Sequence, residues 1–141
     1  MAQKAVNTKQ AFGVEGEFYD SSYKVVATYV AATAVKVGAP VWFTADGEVT
    51  ATFASGAKLA GIVVNPKEYS QTAFTATLEV PANTPVAVAS KGHIIVKAGG
   101  TIAVGDSLVY AVGAYQQGTT NVIGKCVITG ATTNELTVIE L

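Results

Sequence analysis

A lone histidine, a lone cysteine and two glutamates flanking a glycine are the residues of this 141-residue chain whose types and spacing invite a chemical reading. His93 offers one imidazole, so Ser/His/Asp, Cys/His and two-histidine metal arrangements each have at most one candidate base or ligand. It opens the run His93-Ile94-Ile95-Val96, where a structural or solvent-facing histidine is expected. Cys126 lies inside an apolar segment and is expected to behave as a small buried hydrophobe. Glu15 and Glu17 would share one face of a strand and so resemble the carboxylate pair of a glycosidase. That chemistry also needs shaped aromatic subsites, and only Tyr19, Tyr23 and Tyr29 are nearby in sequence. A solvated strand face explains the pair more simply. Gly99-Gly100-Thr101 is no phosphate loop, since no Gly-Lys-Ser/Thr follows and no helix opens after it. These residues predict no enzyme, no metal and no cofactor.

The elements that would have to position such residues are strands. Segments of four to nine residues rich in Val, Ile, Thr, Tyr and Phe are bounded by Gly, Pro, Asn or Asp. They fall at about 16–18, 24–31, 40–44, 48–53, 58–64, 76–80, 86–89, 93–97, 107–111, 122–128 and 136–141. Only Pro66-Lys67-Glu68-Tyr69 suggests a helical turn. Ala45-Asp46-Gly47-Glu48 is a hairpin signal, because both central residues of a type I′ turn take positive φ. Ser90-Lys91-Gly92-His93 and Ala98-Gly99-Gly100-Thr101 read as further reversals.

The strands follow a pattern stated twice. Val37-Gly38-Ala39-Pro40-Val41-Trp42-Phe43 returns 67 positions later as Val104-Gly105-Asp106-Ser107-Leu108-Val109-Tyr110. Each copy passes through a glycine, Gly47 or Gly113, to a second glycine, Gly61 or Gly124, that opens an apolar strand. That second glycine is expected where another backbone approaches closely or a bulge bends the strand. The reading is all-β: a small β-barrel or jelly-roll-like sandwich made of two related β-units. Residues 1–15, polar with isolated apolar positions, form an extended N-terminal arm, and residues 16–141 form a single β-rich domain.

Composition narrows the functional classes. Charged residues are 13% of the chain, against about 25% in a typical globular domain. All nine basic residues are lysines and the net charge is −1, so no electrostatic footprint for nucleic acid or anionic membrane is present. The N-terminus lacks the apolar core of a signal peptide. One cysteine excludes an internal disulfide. A sparsely charged surface rich in Ala, Thr, Val and Gly is poorly defended against association, which points to assembly.

Thr8-Lys9-Gln10-Ala11-Phe12-Gly13-Val14-Glu15-Gly16-Glu17-Phe18-Tyr19-Asp20-Ser21, followed by an apolar strand, Val37-Gly38 and Gly61-Ile62-Val63-Val64, resembles the structural cement (decoration) proteins of tailed bacteriophages. So do Glu79-Val80-Pro81-Ala82-Asn83-Thr84-Pro85-Val86 and Val104-Gly105-Asp106-Ser107-Leu108-Val109-Tyr110. The resemblance implies a non-enzymatic virion protein, made in the host cytoplasm, that binds the outer capsid surface and clamps adjacent major capsid protein subunits. It also implies self-association as a dimer or trimer. Capsid or subunit contacts are expected from Val6, Gln10, Phe12 and Val14 in the arm and from the loop aromatics Tyr69, Phe74 and Tyr115. The competing reading is a carbohydrate-binding or fibre-type β-sandwich module, with Trp42 and exposed tyrosines stacking on sugar rings.

Overall fold

The computed structural model describes residues 15–20, 23–64, 79–111 and 113–141. Twelve strands carry the described chain: β1 (Val25–Ala31), β2 (Val35–Lys36), β3 (Pro40–Ala45), β4 (Glu48–Thr50), β5 (Leu59–Val63), β6 (Glu79–Val80), β7 (Pro85–Lys91), β8 (His93–Lys97), β9 (Ser107–Ala111), β10 (Ala114–Gln117), β11 (Gly124–Val127) and β12 (Leu136–Glu140). The protein is all-β. Strands β1-β4-β3-β5-β7 close into a barrel, β10-β9-β11-β12-β8 form a second sheet, and β2 pairs with β6.

The two halves are one topology used twice. In the barrel, β1 pairs antiparallel with β7 and parallel with β4, while β3 pairs with β4 and β5, and β5 with β7. In the second sheet, β8, β10, β9, β11 and β12 take the places of β1, β4, β3, β5 and β7, with antiparallel partners to match. Even the parallel closure is repeated, reduced to a single bridge between Ala98 and Tyr115. The β2–β6 pair recurs as the bridge between Ile102 and Ala131.

Individual hydrogen bonds repeat as well. Gly38 N–H donates to the Val63 carbonyl at 2.8 Å, and Gly105 N–H to that of Cys126 at 2.8 Å. Asn83 and Asn134, with φ of 63° and 69°, each turn the chain and donate to an alanine carbonyl, of Ala31 and Ala98 respectively. Asparagine tolerates this left-handed geometry because its side chain is short and polar. The halves differ between β5 and β6. Val80 follows Val63 by 17 positions, whereas Ala131 follows Cys126 by 5, so the first half holds 12 extra residues there.

Gly61 and Gly124 show why the repeat needs glycine. A Cβ on Gly61 would drive into the carbonyl oxygen of Ala89 on β7, and one on Gly124 into that of Glu140 on β12. The neighbouring strand therefore approaches at backbone distance, as expected from the sequence, and the register between β3 and β5 shifts beside Gly61.

Each unit has its own filling. Ala31, Val35, Val41, Val49, Val63, Val80 and Val88 fill the barrel. The equivalent Ala98, Ile102, Leu108, Tyr115, Cys126, Ala131 and Ile139 belong to a larger cluster that also takes in Trp42, Ile62, Val64 and Ala89 from the first unit. The units thus share a core. Thr137, the buried polar residue among those described, donates its hydroxyl to the Thr129 carbonyl at 2.7 Å and lies 3.2 Å from Cys126 Sγ.

Several expectations need correction. Ser90–His93 and Ala98–Thr101 are not hairpins: β7 and β8 lie in different sheets, so Gly92 is the crossover from one unit to the next, and β8 pairs with β12 rather than β9. The strand expected over 48–53 ends at Thr50. Tyr115, expected in a loop, lies on strand β10. The Asp46-Gly47 hairpin does join β3 to β4, but of its two central residues only Gly47 takes positive φ, at 74°, and the register shifts between Phe43 and Ala45, so the turn is not type I′. The turn at Pro66–Tyr69 lies outside the described residues.

Candidate functional site

Val6, Gln10, Phe12, Val14, Tyr69 and Phe74 lie outside the described residues. Tyr115 is described, and the expectation for it is corrected. It sits on β10 with 1% of its surface exposed, and its hydroxyl donates to the Gly38 carbonyl at 2.8 Å. Its barrel counterpart is Val49, so the longer side chain extends from one unit to the glycine turn of the other. Burial, with smaller contributions from Tyr110 and Glu15, pushes its phenol well above the usual tyrosine range. Tyr115 is a tie between the units and not a contact residue.

The described structure shows how residues 15–20 are held against the body. Residues 16–19 lie antiparallel along the outer edge of β8: Gly16 N–H donates to the Ile95 carbonyl, Ile95 N–H to that of Glu17, and Tyr19 N–H to that of His93, each at 2.9 Å. Phe18 bridges Ile94 and packs on the shared core, with Lys24 Nζ 4.4 Å from its ring centroid. One residue earlier, Glu15 packs over Gly38 in a cleft of about 190 Å³ lined by Lys36, Lys97, Tyr110 and Tyr115. Burial raises the Glu15 carboxyl above its ordinary value, while Lys97 and Lys36 act against that rise. Glu17 therefore fastens backbone to β8 through its carbonyl, while Glu15 lines the cleft over Gly38 without Glu17 beside it in that lining.

The other reactive candidates are also structural. His93 Nδ1 lies 3.0 Å from Asp20 Oδ2, pinning the end of the segment that covers β8. A shallow cleft beside it is lined, among the described residues, by Tyr23, Lys91, Gly92, Glu140 and Leu141, none of them a serine or cysteine. Cys126 is buried, its Sγ 3.3 Å from the Thr129 carbonyl. Among the described residues no group of three His, Cys, Asp or Glu is placed to hold a metal ion. Trp42 is 7% exposed and meets Phe53 edge-on at 5.4 Å, so its indole is not presented to a sugar ring.

Two fused five-stranded units, with residues 16–19 laid along the edge of β8, make a structural scaffold. The chain belongs to the phage structural cement protein family: the family described as structural cement protein (E217 gp24/Pam3 gp6) matches residues 2–141. No curated protein matches the chain.

Proposed function

We propose that this protein binds the outer surface of a phage head and clamps adjacent major capsid protein subunits, stabilising the shell without catalysis. The observation that carries the reading is the family match over nearly the whole chain. The duplication supports a division of labour. Segment 1–15 and most of segment 65–78 have no counterpart in the repeated plan, and the contact residues proposed here, Val6, Gln10, Phe12, Val14, Tyr69 and Phe74, fall within them.

The physics of such a clamp is modest per contact. A standard protein interface buries about 1,600 Å² in total. Engaging two or more neighbours at once makes each later contact intramolecular, so avidity exceeds any single affinity.

The test uses purified heads lacking this protein. Full-length chain and a chain lacking residues 1–12 are added in turn, and bound protein is measured by co-sedimentation. The full chain is expected to bind and the truncated chain to fold but bind at least tenfold less. Equal binding by the two would remove the arm from the mechanism, and no binding by the full chain would contradict the proposed function itself.

A further inference from the structure

The two-unit plan leaves one strand edge uncovered among the described residues. On β8, His93 and Ile95 turn their backbone groups toward residues 16–19, which cover that edge up to the point where β10 begins. The equivalent strand is β1, 67 positions earlier, where Val26 and Thr28 stand for His93 and Ile95. In an antiparallel ladder alternate residues bond to opposite sides. Ala31 bonds toward β7 through Thr84, and Val30 bonds toward β4 through Gly47, so Val26 and Thr28 point their N–H and C=O groups away from β7. Among the described residues nothing covers them.

Burial follows the same contrast. The three central residues of β8 are buried, whereas Val25, Val26, Ala27, Thr28 and Val30 of β1 are exposed. Tyr23, 79% exposed, and Phe43, 41% exposed, extend the apolar surface around them. Edge strands are usually defended by charge, proline or brevity. From Val25 to Ala31 there is neither charge nor proline, only a register shift between Val25 and Val26.

We propose that β1 pairs antiparallel with β1 of a second copy across a two-fold axis, Val26 opposite Thr28 and Ala27 opposite Ala27, so that the free protein is a dimer. The register copies the one that residues 16–19 use on β8, where Phe18 stands opposite Ile94, the counterpart of Ala27. It matches β-branched Val26 with Thr28 twice and places small alanines at the axis. Charge agrees: the incoming strand ends where β4 begins, bringing Lys24 of one copy to Glu48 of the other, twice by symmetry. A strand edge used by both partners in the same way closes at two copies and leaves no third site. The proposal concerns the free protein and does not rest on the capsid reading.

The experiment is done on full-length protein without heads. Light scattering after size exclusion is expected to give twice the 14.4 kDa chain mass. Ala27→Cys is expected to cross-link on mild oxidation, because facing residues at a non-hydrogen-bonded position have Cα atoms about 4.5 Å apart, within disulfide range. The natural chain, whose thiol is buried, should not cross-link. Thr28→Lys and Thr28→Pro should each halve the mass with an unchanged far-ultraviolet spectrum. A monomer or trimer, a dimer indifferent to both Thr28 substitutions, or a dimer that Ala27→Cys does not link would overturn the proposal. An edge covered by the chain's own N-terminal segment would appear as the monomer.

Discussion

Replacing Tyr115 with phenylalanine removes one oxygen atom from the tie between the two units. The hydroxyl donates to the Gly38 carbonyl at 2.8 Å across 77 residues of sequence, in a fully buried setting. The ring can stay, packed edge-on against Tyr110 at 5.0 Å, so Tyr115→Phe opens no cavity of consequence. What changes is that a buried carbonyl loses the donor Tyr115 supplies, at a cost of about 1–3 kcal/mol. For a chain of this length each kcal/mol lowers Tm by roughly 3–4 °C, giving an expected drop of about 3–12 °C. Thermal unfolding at fixed protein concentration, followed by circular dichroism and by Trp42 fluorescence, reads the shift. A second check is urea unfolding, where the midpoint should fall and the slope stay constant, since the surface exposed on unfolding is unchanged. A Tm within 1 °C of the natural protein's would refute the reasoning, because the bond would then hold nothing together.

Other consequences can be checked on the same purified protein. Gly61→Ala and Gly124→Ala force a Cβ into a neighbouring backbone carbonyl and should each cost about 3 kcal/mol, the upper part of the range for overpacking, whereas Gly100→Ala, with nothing within 4 Å, should be close to neutral in urea unfolding. Because Trp42, Ile62, Val64 and Ala89 share a cluster with β8, β9, β11 and β12, the units should unfold in one transition; two separated steps in calorimetry would contradict the shared core. Glu15 has a carboxyl value raised chiefly by burial, so the fold favours its protonated form. That stabilisation is complete below the ordinary value of 4.5 and is lost as pH rises through the raised folded value. Glu15→Gln should therefore match the natural protein in Tm below about pH 4 and exceed it at neutral pH, and an equal offset at both would point to a cause other than ionisation.

Much of the fold was legible because the repeat is written in residues with narrow backbone roles. Gly61 and Gly124 marked close strand approaches, and Asp46-Gly47 marked the β3–β4 hairpin. The strand at β10 was missed although Gly113 occupies the place of Gly47, which would have predicted a strand after it. Tyr115 then looked like a loop aromatic because Gln116 and Gln117 give the segment a polar cast. Gly92 misled in the opposite direction: a glycine between two apolar strands suits a hairpin, but it equally suits a crossover, and long-range pairing of β7 with β1 and β8 with β12 decides between them. The pairing of His93 with Asp20 spans 73 residues and leaves no local signature. The exposed edge of β1 has no signature in sequence, since Val-Val-Ala-Thr-Tyr-Val-Ala reads as an ordinary buried strand until its counterpart β8 shows what covering it lacks among the described residues.

The family match and the two-unit scaffold together make stabilisation of a capsid the central claim, and the strength of the shell reads it directly. Heads lacking the protein are compared with heads saturated with it, by the temperature at which packaged DNA becomes accessible to a dye. The account predicts a higher release temperature for saturated heads, with bound protein found on intact heads. Saturation with no change in release temperature would contradict it.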